Sequence, residues 1–352
     1  LTDDPHLTRR LALSSQTIVH GGGLTAAMRH YGGTHADWLD VSTGLNPCPP
    51  ELPAIPRDAW LRLPDESADI EARHAARDLY GTRTILPLPV AGTQAAIQCL
   101  PGILPLGARA AILSPTYGEY RRVFEAGGHP IDLVEDLDAL GPAHRLVVVV
   151  NPNNPTGRLV RRDVLLGLAE KLAASDGYLV VDEAFADVAP DESVADAVED
   201  HSRLIVLRSL GKVFGFAGVR LGFVVAAKPI QARLQAMLGP WSVSGPALAV
   251  GAALMRGDLD TIRATIARRA QGLDMALSAA KVTVLGGTPL FRLVDVAHAR
   301  LVHERMAQAH ILTRFFDAHP TWLRLGLTPS AQADLRLSTA LCDALAPGGW
   351  AS

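Results

Sequence analysis

Four stretches of the chain set chemically unusual residues directly after runs of apolar ones. After the run ending at Val150 comes Asn151-Pro-Asn-Asn-Pro-Thr-Gly157, and after Val180-Val181 comes Asp182-Glu-Ala-Phe185. After Val206-Leu207 comes Arg208-Ser-Leu-Gly-Lys212, with Arg220 eight residues beyond the lysine, and after Leu113 comes Ser114-Pro-Thr-Tyr-Gly-Glu-Tyr120. Singly, each has an ordinary explanation: a turn, a helix cap, a solvated lysine. In this order they supply an amine for a Schiff base, a buried carboxylate for a pyridine nitrogen, an amide for a phenolic oxygen and an aromatic face for stacking. Those are the needs of one cofactor, pyridoxal 5′-phosphate (PLP), whose ring accepts electrons from a bond broken at a substrate's α-carbon.

Such residues work only if something brings them together. The apolar runs at 110–113, 146–150, 178–181, 204–207 and 221–225 are short, bounded by turn residues and separated by helix-like stretches such as 162–174. Strands that are apolar throughout and alternate with helices predict a parallel sheet covered on both faces, with ligands beyond the carboxyl ends of its strands. Helical spacing of Ile70, Ala72, Ala75, Ala76 and Leu79 predicts a helix over 69–80 that Gly81 ends. The first sixty residues, rich in Gly, Pro and His, read as an arm of loops and short pieces. After Pro229 come helices at 231–238 and 247–277, then strands within 282–293 and 323–327. The expected division is an arm over 1–45 joining the small domain, a large domain over 46–230 and a small α+β domain over 231–352.

The order and spacing of these motifs resemble the fold type I PLP-dependent enzymes, the aspartate aminotransferase superfamily, over nearly the whole chain. The resemblance implies an α/β fold with a large domain built on a mostly parallel sheet between helices, plus a smaller α+β domain. It makes Lys212 the lysine that joins the cofactor, Asp182 the partner of the pyridine nitrogen, Asn154 the donor to the ring oxygen and Tyr117 the stacking aromatic. Gly92-Thr93-Gln94, at a helix start, would cradle the phosphate with backbone N–H groups, helped by Ser209 and Arg220. Gly211 departs from the pattern, since many relatives carry Ser or Thr there, and leaves the phosphate cup one hydroxyl short.

Three arm motifs narrow the resemblance: His20-Gly-Gly-Gly23, Asp40-Val-Ser-Thr-Gly-Leu-Asn-Pro47 and Leu63-Pro-Asp65. They are similar to the cobalamin-pathway branch that decarboxylates L-threonine O-3-phosphate to (R)-1-amino-2-propanol O-phosphate; the neighbouring branch is the histidinol-phosphate aminotransferases. The resemblance implies that Arg324, in Trp322-Leu-Arg-Leu-Gly326, holds the substrate carboxylate through its two parallel donors. Asn46 and His20 are further candidates at the substrate, with Asn46 equally readable as a turn residue before Pro47. Gly23 stands where the arm motif often has Asn, and Leu63 where relatives often place a tyrosine from a neighbouring subunit. A homodimer with its sites at the subunit boundary is the implied assembly.

Composition sets the outer bounds. The 352 residues are 48% hydrophobic and 20% charged, ample for a sizeable core. Thirty-three basic residues against 36 acidic ones give a net charge of −3, and no long basic run stands out, so nucleic acid is not an expected partner. Cys48, Cys99 and Cys342 are odd in number and far apart, which fits a reducing cytoplasm. No apolar run approaches the roughly 20 residues of a membrane span, and acidic residues at Asp3 and Asp4 argue against a signal peptide. A soluble cytoplasmic protein is expected. The chain has no Gly-x-Ser-x-Gly elbow, no dinucleotide or triphosphate glycine motif and no His-Glu-x-x-His, so hydrolase, nucleotide and metal chemistry lack a signature. A non-catalytic ligand sensor is disfavoured because lysine, aspartate, asparagine and tyrosine are all present.

Overall fold

The computed structural model describes residues 20–346; the acidic N-terminus discussed above lies outside them. Its centre is a seven-stranded sheet in the order Leu88–Val90, Gly222–Ala226, Leu204–Ser209, Tyr178–Asp182, His144–Val150, Arg109–Leu113, Ile131–Val134. Six strands run in one direction. Gly222–Ala226 is antiparallel to both its neighbours, so the sheet is mostly parallel, as expected, and mixed at that one position. Period alone cannot report strand direction, because a strand buried on both faces reads the same either way.

The burial pattern shows why these segments are strands. Val147, Val149, Val181 and Val206 enter one hydrophobic core, while Leu146, Val148, Val150, Val180, Ile205 and Leu207 enter a second on the opposite face. Alternate side chains thus fill two cores, and β-branched residues suit that pleated surface. The helix Glu66–Tyr80 begins three residues before its predicted start, because the Asp65 side chain accepts the backbone N–H groups of Ser67 and Ala68. It ends at Gly81, whose φ of 72° is the left-handed conformation that glycine adopts without strain.

The predicted helical stretch 247–277 divides into Gly245–Met255 and Leu259–Ala279, because Asp258 caps a new start by accepting the N–H of Thr261. Beyond it a four-stranded antiparallel sheet is ordered Arg314–Phe315, Trp322–Gly326, Phe291–Asp295, Thr283–Thr288. Helices Ala299–Gln308 and Ala331–Leu345 complete this region. Leu39–Asp40, from the N-terminal part of the chain, pairs in parallel with Ile311–Leu312. Among the described residues no helix is long and apolar enough to cross a membrane.

Candidate active site

The strands ending at Leu113, Val150, Asp182 and Ser209 are consecutive neighbours pointing the same way, so the four loops that follow them open side by side at one edge of the sheet. Asp182 is the last residue of its strand and 4% exposed. Its Oδ2 accepts the Tyr120 hydroxyl at 2.7 Å and its Oδ1 accepts the Ala184 N–H at 3.0 Å. Burial pushes its carboxyl above the usual range, while those two bonds and the Lys212 charge pull the other way.

Lys212 follows the strand Leu204–Ser209, with its Nζ 5.4 Å from the centre of the Phe185 ring. Burial, together with the nearby cations Arg324 and Arg220, lowers its ammonium to about 8 against the weaker opposing effect of Asp182. The free amine therefore becomes the major form as pH rises through about 8, where an ordinary lysine is still almost wholly charged. In the cofactor-free protein, labelling of Lys212 by a small aldehyde with borohydride reduction should rise with a midpoint near 8. Arg324→Met, by removing a cation, should move that midpoint upward; peptide mapping across a pH series checks both.

Asn154 and Arg324 meet across the cleft, the Arg324 Nη1 donating to Asn154 Oδ1. Arg324 lies in the middle of the strand Trp322–Gly326 and is 6% exposed. Its Nη2 donates to the carbonyl of Ser42 at 2.6 Å, its Nε is buried with no partner among the described residues, and its guanidinium lies 5.2 Å from the Phe291 ring centre. Burial and the neighbouring Arg314 lower it to about 10. The guanidinium is thus a buried cation bonded to neutral acceptors.

Gly92 leads into the helix Thr93–Cys99 with φ 74°. A Cβ on it would lie 2.7 Å from Arg220 Nη2, and one on Gly222 would lie 3.0 Å from the Thr93 nitrogen. The two glycines let Arg220 and the strand Gly222–Ala226 close onto the helix start, whose first N–H groups have no partner within the helix. With the Ser209 hydroxyl at the end of its strand, this forms a rim of donors suited to an anion. A side chain at Gly211 would press on Ala217, whose Cα lies 3.1 Å from the position of its Cβ.

Tyr117 donates its hydroxyl to Gln94 Oε1 at 3.2 Å, and Gln94 Nε2 donates to Glu119 Oε2 at 2.7 Å. Burial raises the Tyr117 phenol to about 12, so it stays neutral and a donor. Glu119, though buried, also accepts from Arg122. His20 rests at the mouth, half exposed, with its Nε2 3.3 Å from Glu119 Oε1 and its ring 5.7 Å from that of Tyr117.

Asn46 has its amide engaged at both ends: Nδ2 donates to the Val213 carbonyl at 3.0 Å and Oδ1 accepts the Cys48 N–H at 2.9 Å. Its backbone N–H donates to the Lys212 carbonyl. Asn46 thus braces the loop that carries Lys212. Tyr120, Ser42, Phe185, Phe291 and Arg314 are members of the site that the sequence reading did not assign. A signal existed for Tyr120, a second tyrosine three residues after Tyr117 in the same motif, and its ring centre lies 6.3 Å from that of Tyr117. Phe185 and Ser42 lie within motifs singled out above but were given no role there, and Phe291 and Arg314 arrive through tertiary contact alone.

A family model described as aminotransferase class I and II matches residues 54–344. The chain is 55% identical over 327 residues to a threonine-phosphate decarboxylase from Sinorhizobium sp, covering 93% of this chain and 98% of that protein. A second threonine-phosphate decarboxylase, from Pseudomonas aeruginosa, is 43% identical over 92% of this chain and 97% of its own. In fold, the structure is similar to histidinol-phosphate aminotransferase from Sinorhizobium meliloti in complex with pyridoxal-5′-phosphate, with a TM-score of 0.79 at 20% identity and 98% of both chains covered. With these matches spanning the same loops that frame Lys212, Asp182 and Arg324, the chain belongs to the aminotransferase class I and II family and is closely related to the threonine-phosphate decarboxylases.

Proposed function

We propose that this chain is a PLP-dependent carbon–carbon lyase that decarboxylates L-threonine O-3-phosphate to (R)-1-amino-2-propanol O-phosphate and CO2, a step of cobalamin biosynthesis. The observation that carries the reading is a pair of arginines directly opposite one another across two strands, Arg314 and Arg324. Like charges facing each other on a sheet are destabilising unless an anion lies between or beside them. Arg324 is bonded only to neutral oxygens, and Arg314 makes no hydrogen bond or ion pair among the described residues, lying 4.9 Å from the Phe316 ring. Two cations awaiting partners suit a small molecule with two anionic ends, a carboxylate on Arg324 and a phosphate on Arg314. The two decarboxylase relatives, matched over nine tenths of the chain, support decarboxylation over transamination.

The residues present fit the cofactor. The buried carboxylate of Asp182 suits a protonated ring nitrogen, and the rim of donors opened by Gly92 suits a phosphate. Lys212 would hold the ring covalently, Asp182 its nitrogen, Asn154 its phenolic oxygen, and Tyr117 would stack on its face. Gly92, Thr93, Gln94, Ser209 and Arg220 would hold the phosphate. The bound group supplies an acceptor for the electron pair left when a bond at the substrate's α-carbon breaks.

The chain's own part is positional and protonic. Asp182, with Tyr120 donating to its carboxylate, keeps a positive charge on the ring nitrogen favourable. Arg324 would grip the carboxylate and Arg314 the phosphate, which would fix the substrate's orientation in the site. Lys212, ionising near 8, can deliver a proton from Nζ to the α-carbon after CO2 departs. The test is to incubate the PLP-loaded protein with L-threonine O-3-phosphate alone and assay CO2 and aminopropanol phosphate. Release without any 2-oxoacid is expected. No release, with glutamate formed instead from histidinol phosphate plus 2-oxoglutarate, would make it an aminotransferase.

The active unit in this proposal is a homodimer. Leu52, Trp60, Leu61, Leu63 and Trp241 are all more than half exposed. The short helix Arg57–Leu61 lies on Gly245–Met255 with its outer side uncovered, and Gly245 fits because a Cβ there would sit 2.5 Å from the Ala59 carbonyl. Apolar surface of this kind calls for a partner, here a second copy. Sedimentation at micromolar concentration should show twice the 37.4 kDa chain mass; a fully active monomer would refute the assembly.

A further inference from the structure

The arm and the substrate arginine converge on one residue, Ser42, which is 1% exposed. Its hydroxyl donates to Asp40 Oδ1 at 2.6 Å and accepts the Gly22 N–H at 2.7 Å. Because a carboxylate can only accept, the Ser42 proton is committed to Asp40 and a lone pair is left for Gly22. Asp40 Oδ1 also accepts the Ser42 N–H at 2.8 Å, which fixes the turn. The carbonyl of the same residue accepts Arg324 Nη2 at 2.6 Å.

The neighbouring glycines show how closely the pieces are fitted. A Cβ on Gly21 would collide with the Ser42 carbonyl oxygen, and Gly22 holds φ at 84°. The arm turn His20–Gly23 can lie on Ser42 only with glycine at these two places. On the other side, Gly326 donates its N–H to the Val41 carbonyl at 2.7 Å, so the segment around Ser42 lies along the strand that carries Arg324. The same segment continues through Gly44, which packs against Phe185 and Phe291, to Asn46 at the lysine loop.

We propose that Ser42 is a positioning residue that couples the arm to the substrate arginine: its hydroxyl holds the His20–Gly23 turn over the cleft mouth, and its carbonyl aims the Arg324 guanidinium at the carboxylate position. The inference rests on the functional reading above for the identity of the substrate, not for the existence of the coupling. An arm anchored in this way delivers His20 to the mouth already ordered, and the ordering then need not be supplied by substrate binding.

The test compares wild-type holoenzyme with Ser42→Ala, which removes the hydroxyl and keeps the carbonyl, and Gly21→Ala, which keeps the hydroxyl and pushes the arm off Ser42 by crowding its carbonyl. In both, the Gly22 amide should exchange with deuterium about tenfold faster. KM for L-threonine O-3-phosphate should rise about 3- to 10-fold with kcat within about threefold of wild type, and the cofactor's visible absorption should be unchanged. Ser42→Thr, which retains a hydroxyl, should restore the slow exchange. Hydrogen exchange needs no substrate, so a wild-type protein inactive on threonine phosphate would sink the functional reading while the Ser42 result stands separately. Unchanged Gly22 exchange and KM in Ser42→Ala and Gly21→Ala would overturn the coupling. A parallel loss of kcat and cofactor absorption would also overturn it, by showing a general structural role.

Discussion

Replacing Lys212 by alanine removes both the visible absorption of a lysine-linked cofactor and about 10³-fold or more of the turnover, because one amine anchors the ring and moves the proton. The protein should still fold. Among the described residues Lys212 makes no salt bridge, and its buried ammonium is disfavoured by burial and by the charges of Arg324 and Arg220, so its loss relieves charge repulsion. The outcome to measure is therefore a split: thermal stability equal to or above that of the cofactor-free wild type, with activity gone. Turnover of threonine phosphate near the wild-type rate in Lys212→Ala would remove the lysine from the chemistry.

Arg324→Met should produce the second large effect, again with opposite signs for binding and stability. Truncating one partner of a buried, hydrogen-bonded charge pair costs about 2–5 kcal/mol, or a fall of roughly 30- to several thousand-fold in kcat/KM. In the ligand-free protein, however, the guanidinium has among the described residues only neutral acceptors, an Nε without a partner and a second arginine beside it. Its ionisation is depressed to about 10, so below that pH the folded state carries a charge that it holds less readily than the unfolded chain does. Methionine fills much of the same volume without the charge, and the melting temperature at neutral pH should not fall. Steady-state kinetics together with a melting curve decide the matter. Unchanged kcat/KM would show that the carboxylate binds elsewhere, and a sharp loss of stability would show that Arg324 is structural.

Both predictions concern residues whose types and order were legible before any coordinates. Short apolar runs followed by Asn, Asp and Lys in a fixed sequence imply strands whose ends meet, because a two-faced sheet with helical crossovers leaves its loops at one edge. The motifs that carry Asp182, Asn154, Lys212 and Ser209 follow from that local logic, the choice of Asn154 and Ser209 within them from the family resemblance, and the sheet order shows that the loops are neighbours. Asn46 shows the limit of such logic. Its type and its place before Pro47 suit either a ligand or a turn, and only the bonds to Val213 and Cys48 show that its amide is already engaged.

The sequence by itself determined the chemistry on offer: an amine, a carboxylate, an amide, an aromatic ring and a phosphate-binding turn, each attached to the end of a strand or the start of a helix. Periodicity and turn residues carry that information because they act over a few residues. Tertiary structure alone decided what those groups face. It reversed the strand Gly222–Ala226, set Arg314 opposite Arg324 through a register that spans ten residues of chain, and laid the arm on Ser42, 282 residues before the arginine that its carbonyl holds. Pairings of that range depend on which strands close against each other and on glycines that let backbones touch, and no local pattern encodes them.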